Sequence, residues 1–81
     1  MANPRDTLIT MAVKIVLNSA QDHYQKTESI LPWDEYWKHH LKITPFKTFD
    51  NHVQMLANRC VDRGLTIVDD IADDIIESLA I

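Results

Sequence analysis

The sequence predicts an all-α protein, a compact bundle of about four helices in a single domain, spanning approximately residues 4–23, 32–42, 45–63 and 66–80. Three observations lead there. Apolar residues recur at helical spacing in four separate segments, and each segment starts or stops at a recognisable boundary signal. One Gly and three Pro among 81 residues leave too few tight turns for a hairpin-rich β fold. A chain of this length, 46% apolar and 25% charged, has the composition of one small globular domain and not of a disordered segment.

The first helix opens at Asn3-Pro4-Arg5-Asp6. Asn is a good N-cap, Pro fits the first helical position, and Asp6 lies where the helix dipole favours a carboxylate. It is expected to end near His23, followed by a polar linker, Gln25-Lys26-Thr27-Glu28-Ser29. The second helix begins around Pro32, with Trp33, Tyr36, Trp37, His40 and Leu41 forming a stripe. Asp34 and Glu35 fall in its first turn, and Lys38, His39, His40 and Lys42 toward its end, which matches the dipole at both termini. Ile43-Thr44-Pro45 breaks it.

The third helix starts at Thr44-Pro45 or at Thr48, two caps between which the sequence does not choose. Its apolar stripe is Phe46, Phe49, Val53, Leu56, Ala57, Cys60 and Val61. Gly64, the only glycine, falls where a left-handed residue closes a helix. Thr66-Ile67-Val68-Asp69 then reads as a capping-box-like start, with Asp in place of Glu, of a fourth helix. So short a link predicts an αα-hairpin or a sharp helix-turn-helix corner.

Charge is unevenly distributed. Residues 1–63 hold all eight Lys and Arg and seven acids, a net +1; residues 64–81 hold Asp69, Asp70, Asp73, Asp74 and Glu77 and no base, a net −5. At about 100° per residue these carboxylates share one side of the last helix, while Ile67, Val68, Ile71, Ala72, Ile75, Ile76 and Leu79 share the other. The apolar side is expected to pack on the bundle and the acidic strip to face outward. Like-charge pairs at i,i+3 and i,i+4 would cost roughly 1–2.5 kcal/mol together. Three readings compete: a solvated face that aids solubility, neutralisation by Arg59 and Arg63 reaching across the Gly64 corner, or a docking surface for a basic protein. In the third, the strip imitates a row of phosphates before the nucleic-acid groove of another protein.

Helix one is too apolar for a simple surface helix. Thr7, Thr10, Lys14, Asn18 and Gln21 make a narrow polar strip, and nearly everything else from Leu8 to Ala20 is apolar. Either it is the central helix of the bundle, or its second apolar side meets another subunit or a partner. In the latter case Met11 and Ile15, bordering the polar strip, are the natural contacts of a two-fold homodimer. The aromatic segment, Trp33 to Phe49, has core periodicity, with Trp33 or Tyr36 expected to be partly exposed; a protein-binding patch is the competing reading.

Other chemistries find little support. Thr7 to Leu17 is apolar-rich, but Asp6, Lys14 and the lack of a small-x-small cleavage site argue against a signal peptide, and no stretch is long and apolar enough for a membrane span. A lone Cys60 makes a reducing cytoplasm the expectation (a host cytoplasm, if the chain is viral) and reads as a small buried hydrophobe. His23, His39, His40 and His52 show no metal-binding spacing, the acids form no EF-hand loop, and one Gly cannot build a phosphate loop. An acidic chain lacks the basic footprint of a direct nucleic-acid binder. Size, acidity and four helices are similar to acyl carrier proteins, but the Asp-Ser-Leu attachment motif of that family is missing; Glu28-Ser29-Ile30 runs into Pro32 and is a poor substitute.

The expectation is therefore a small non-catalytic interaction protein, with no cofactor and no metal. It would be an inhibitor or regulator of the class encoded by phages or mobile elements, occluding a basic site of a larger cytoplasmic protein through Asp69, Asp70, Asp73, Asp74 and Glu77. The alternative is an obligate homo-oligomeric structural or accessory subunit using apolar helix one, with Met11 and Ile15 at its interface.

Overall fold

Asn3 sets the start of the longest helix. Its side-chain oxygen accepts the Arg5 backbone N–H at 2.9 Å, and α1 (Pro4–Thr27) follows with Pro4 in its first turn. The computed structural model describes residues 3–41 and 47–81, and among these are three further helices and no strand: α2 (Trp33–Leu41), α3 (Phe49–Asp62) and α4 (Val68–Leu79). The all-α bundle predicted from sequence is what the chain forms.

α1 runs about one turn past the end expected near His23, so Gln25-Lys26-Thr27 is helical and not a linker. Lys26 pairs with Asp22 one turn back at 2.8 Å, the Thr27 hydroxyl donates to the Tyr24 carbonyl at 2.6 Å, and the Tyr24 ring packs edge-on against Trp33 and Tyr36. These local bonds extend a helix that polarity alone would have stopped. Glu28, with φ of 51°, ends it in the left-handed region. In the loop beyond, the Tyr24 hydroxyl donates to the Leu31 carbonyl and Ser29 Oγ accepts the Leu31 N–H. At ~1.5 Å per residue the 24 residues of α1 are ~36 Å long, nearly the 40 Å longest dimension of the molecule. α1 is the spine.

Nine residues are too few for α2 to be stable alone. It is held by Trp37, fully buried and stacked on Phe49 at 4.4 Å between ring centroids, and by Asp34, whose carboxylate accepts the Phe49 backbone N–H at 3.0 Å. Asp34 thus caps α3 from a neighbouring helix, while Thr48 Oγ1 accepts the Asn51 N–H at 3.2 Å. This decides the α3 start for Thr48 and shortens the expected 45–63 span. Lys42, the Ile43-Thr44-Pro45 break and Phe46 lie outside the described residues.

The α3–α4 corner follows the sequence closely. Gly64, at φ of 98°, donates its N–H to the Val61 carbonyl, and Leu65 donates to the Cys60 carbonyl, closing a Schellman motif. The expected capping box at Thr66 does not form. Leu65 packs against the core, the next two residues stay outside the helix, and Ile67 becomes an N-cap without a side-chain bond. α4 therefore starts at Val68, with Ile67 more than half exposed and not packed as expected.

All four helices contribute to one core: Ile9, Ala12, Val13, Val16 and Ala20 from α1, Trp37 from α2, Phe49, Val53, Ala57 and Cys60 from α3, and Ile71, Ala72, Ile75 and Leu79 from α4. Among the described residues no polar or charged side chain is buried. The most extensive contacts run from α1 to α4 and from α1 to α3, so helix one is central. Trp33 and Tyr36 are half-buried at the edge of the aromatic cluster, as the core reading expected.

The left-handed positions carry opposite predictions. Ala80 closes α4 at φ of 58° in the same hydrogen-bond pattern as Gly64, with Ala80 N–H to Glu77 and Ile81 N–H to Ile76. Ala80→Gly is expected to raise unfolding stability by about 0.5–1 kcal/mol in urea titration. Gly64→Ala is expected to lower it by about 1 kcal/mol, although the added methyl meets no atom within 4 Å, because the cost lies in the backbone.

Candidate functional site

Burial fixes how α4 is rotated. Ile71, Ala72, Ile75 and Leu79 are buried and Val68 and Ile76 half-buried, leaving the other arc to solvent. Asp69, Asp70, Asp73 and Glu77 are all exposed on that arc, and none has an ion-pair partner among the described residues. From Asp69 to Glu77 the strip extends ~12 Å along the helix.

Asp74 is different. It is half-buried, and its carboxylate accepts from the Arg63 guanidinium at 2.5 Å and from the Cys60 thiol at 3.0 Å. Arg63 also lies 3.5 Å from the Cys60 sulfur, so the three side chains close a clamp across the α3–α4 corner. The neutralisation reading is thus realised for one carboxylate, by Arg63; Arg59 forms no ion pair among the described residues. Removing Asp74 from the repulsive set leaves three like-charge pairs, worth roughly 0.6–1.5 kcal/mol.

The clamp also revises the reading of Cys60 as a plain hydrophobe. Burial, and then the bond to Asp74, push its thiol up to about 11 from an ordinary 9.0. The thiol and the Arg63 guanidinium in turn hold the Asp74 carboxyl below the usual carboxylate range. The sequence suggests Arg63 as a partner for the strip, without choosing Asp74; nothing in it marks the thiol as a donor.

Of the second set of residues singled out, Met11 is 52% and Ile15 38% exposed, one turn apart on α1. They lie uncovered on the central helix. Two histidines from different helices meet: His23 and His40 bring their rings to 6.1 Å, and His23 Nε2 is 3.1 Å from the Tyr36 hydroxyl. Among the described residues no group of three or more His, Cys, Asp or Glu could hold a metal ion, and no helix is long and apolar enough to cross a membrane. Comparisons with protein-family models, with curated proteins and with solved structures found no match.

The thiol's contribution to stability is complete below pH 9.0 and is lost as pH rises toward 11; the Asp74 contribution is present above 3.8 and lost as pH falls through its depressed value. Urea unfolding across pH is expected to show both limbs, and Cys60→Ala to remove the alkaline one. Alkylation of Cys60 near pH 8 should be at least about a hundredfold slower than that of a free thiol. Glu77, in the last turn of α4, sits at the end of the dipole that disfavours a carboxylate and adds a repulsive pair with Asp73. Glu77→Lys is expected to stabilise the fold by roughly 0.5–1.5 kcal/mol in the same assay.

Proposed function

We propose that this chain is a small non-catalytic interaction protein that docks its acidic α4 face on a basic surface of a larger protein, as an inhibitor or regulator. The observation that carries the reading is the exposed row Asp69, Asp70, Asp73 and Glu77, on a helix whose other side is locked into the core. Four charges over ~12 Å give somewhat over half the linear charge density of duplex DNA, which presents one per ~1.7 Å. A surface built to accept phosphates would therefore be attracted to this face, and the attraction would act first on the rate of encounter. Such a strip costs folding stability at Glu77 and among its own members, which favours a role beyond solubility. A phage or mobile-element origin is part of this proposal only as the setting in which inhibitors of nucleic-acid enzymes of this size and charge would be expected.

The test is capture of partners from a lysate by wild-type protein and by the triple variant Asp70→Lys, Asp73→Lys, Glu77→Lys, which leaves the Asp74 clamp intact. Partners held through α4 are expected to be basic, to be lost from the variant, and to dissociate as salt rises. If every partner survives the reversal, α4 is not the working surface.

A second reading keeps the exposed Met11 and Ile15 as the contacts of a two-fold homodimer. Sedimentation of wild type and of Ile15→Lys separates the two: a strict monomer at high concentration removes the subunit reading.

A further inference from the structure

A groove of about 450 Å³ opens on the surface where three helices meet, lined by Leu17, Gln21, Tyr24 and Gln25 of α1, Trp33 of α2 and Asp50 of α3. No residue of α4 takes part. Its walls are of two kinds. The indole of Trp33 and the phenol ring of Tyr24, both half-buried, stand edge to face at 5.4 Å and 85°, and with Leu17 they make an apolar, π-rich wall. Asp50 supplies a full negative charge and the two glutamines supply amide oxygens. Asp50 lies in the first turn of α3.

The ion pairs Arg5–Asp62, Lys26–Asp22 and Arg63–Asp74 of the described residues place no cation here. The neighbouring Lys26 is tied to Asp22, Lys47 contacts the Met55 sulfur, Arg5 bonds Asp62 and Asn58, and Arg63 is in the clamp. None of these four pairs with Asp50.

We propose that the groove is a binding site for an arginine side chain of a partner polypeptide. The aromatic wall accepts the apolar stem and the flat guanidinium by stacking, Asp50 accepts a paired hydrogen bond from it, and the Gln21 and Gln25 carbonyls take remaining N–H groups. An anion is repelled by Asp50, and a wholly apolar ligand would strip water from that carboxylate without replacing its bonds. A lysine ammonium has the charge but not the planar, bidentate face. This site goes beyond the α4 reading and does not depend on it.

The experiment is an amide-resolved NMR titration of the full chain with the blocked tripeptide Ac-Gly-Arg-Gly-NH2. Parallel titrations use the peptides carrying citrulline, the neutral near-isostere, and lysine. Expected are shifts at Gln21, Tyr24, Gln25, Asp50 and the Trp33 indole N–H, with binding about fivefold or more tighter for arginine than for either analogue. Asp50→Asn, at an exposed helix-start position, should bring arginine down to the citrulline level, with the spectrum itself reporting that the variant is folded. The α4 triple reversal should leave the groove response unchanged, so that failure of one site is distinguishable from failure of the other. Equal response to citrulline, tighter binding of lysine, shifts confined to Asp69–Glu77, or no shift at about 10 mM peptide would each overturn the assignment.

Discussion

The constraint on which the structure depends is the burial of one long helix, α1, by two shorter ones, α3 and α4. α2 with nine residues, α4 with twelve and α3 with fourteen are all at or below the length at which an isolated helix is marginal in water. α3 and α4 persist because α1 offers them a continuous apolar surface ~17 Å long, from Ile9 to Ala20, and α2 persists because Trp37 packs on Phe49 of α3. Fully buried alanines on three helices, Ala12 and Ala20, Ala57, and Ala72, keep side-chain bulk low where the helices meet. The bulky residues, Trp37 and Phe49, fill the α2–α3 end. Everything displayed on the outside, including the orientation of the acidic row, is a consequence of which residues α1 takes inside.

The α3–α4 corner shows how that orientation is made firm. Gly64 turns the chain, Leu65 pins the exit to the core, and the Arg63–Asp74–Cys60 clamp ties the second turn of α4 to the last turn of α3. Arg63 cannot serve two carboxylates as well as one, and the partly buried Asp74 gains more from pairing than its exposed neighbours would. The outcome is a division of labour among five acids of like sequence: one holds the corner, four face water. Stability accounts for two of the four: Asp69 and Asp70 lie in the first turn of α4, where the helix dipole favours a carboxylate. It does not account for Asp73 and Glu77, which repel each other, and Glu77 also opposes the dipole at the other end.

What could be read from the sequence was whatever local chemistry specifies. Asn3-Pro4 can start a helix, Gly64 can end one, and the i+3/i+4 spacing of Phe49, Val53, Ala57 and Cys60 can face only one way. The errors arose where two local signals competed or where the deciding partner was distant. Gln25-Lys26-Thr27 looks like a linker until Asp22, Tyr24 and Trp33 are seen to support it. Thr66 looks like a cap until Leu65 is drawn into the core and the helix begins two residues later than Thr66 itself. The start of α3 stayed ambiguous because one of its caps, Asp34, comes from another helix. The groove was invisible for the same reason, since Tyr24, Trp33 and Asp50 belong to three elements and no periodicity relates them.

The two surfaces proposed here would select positive charge by different physics, and that difference matters more than their common sign. The α4 row is exposed and its members are spaced along a helix, so its field extends outward over about a Debye length and weakens as salt is added. It can draw many basic surfaces and distinguish few of them. The groove has an aromatic wall and a single carboxylate, so most of what it gains comes on contact, from stacking and a directed hydrogen bond that screening affects less. A partner carrying only diffuse positive charge would satisfy the first and not the second. One carrying an arginine at the right distance would satisfy both, and linking the two contacts through one rigid bundle would raise the effective concentration of the second once the first had formed. Because α1 contributes the groove's wall and also buries the base of α4, the separation between the two sites is set by the core itself and not by a flexible linker.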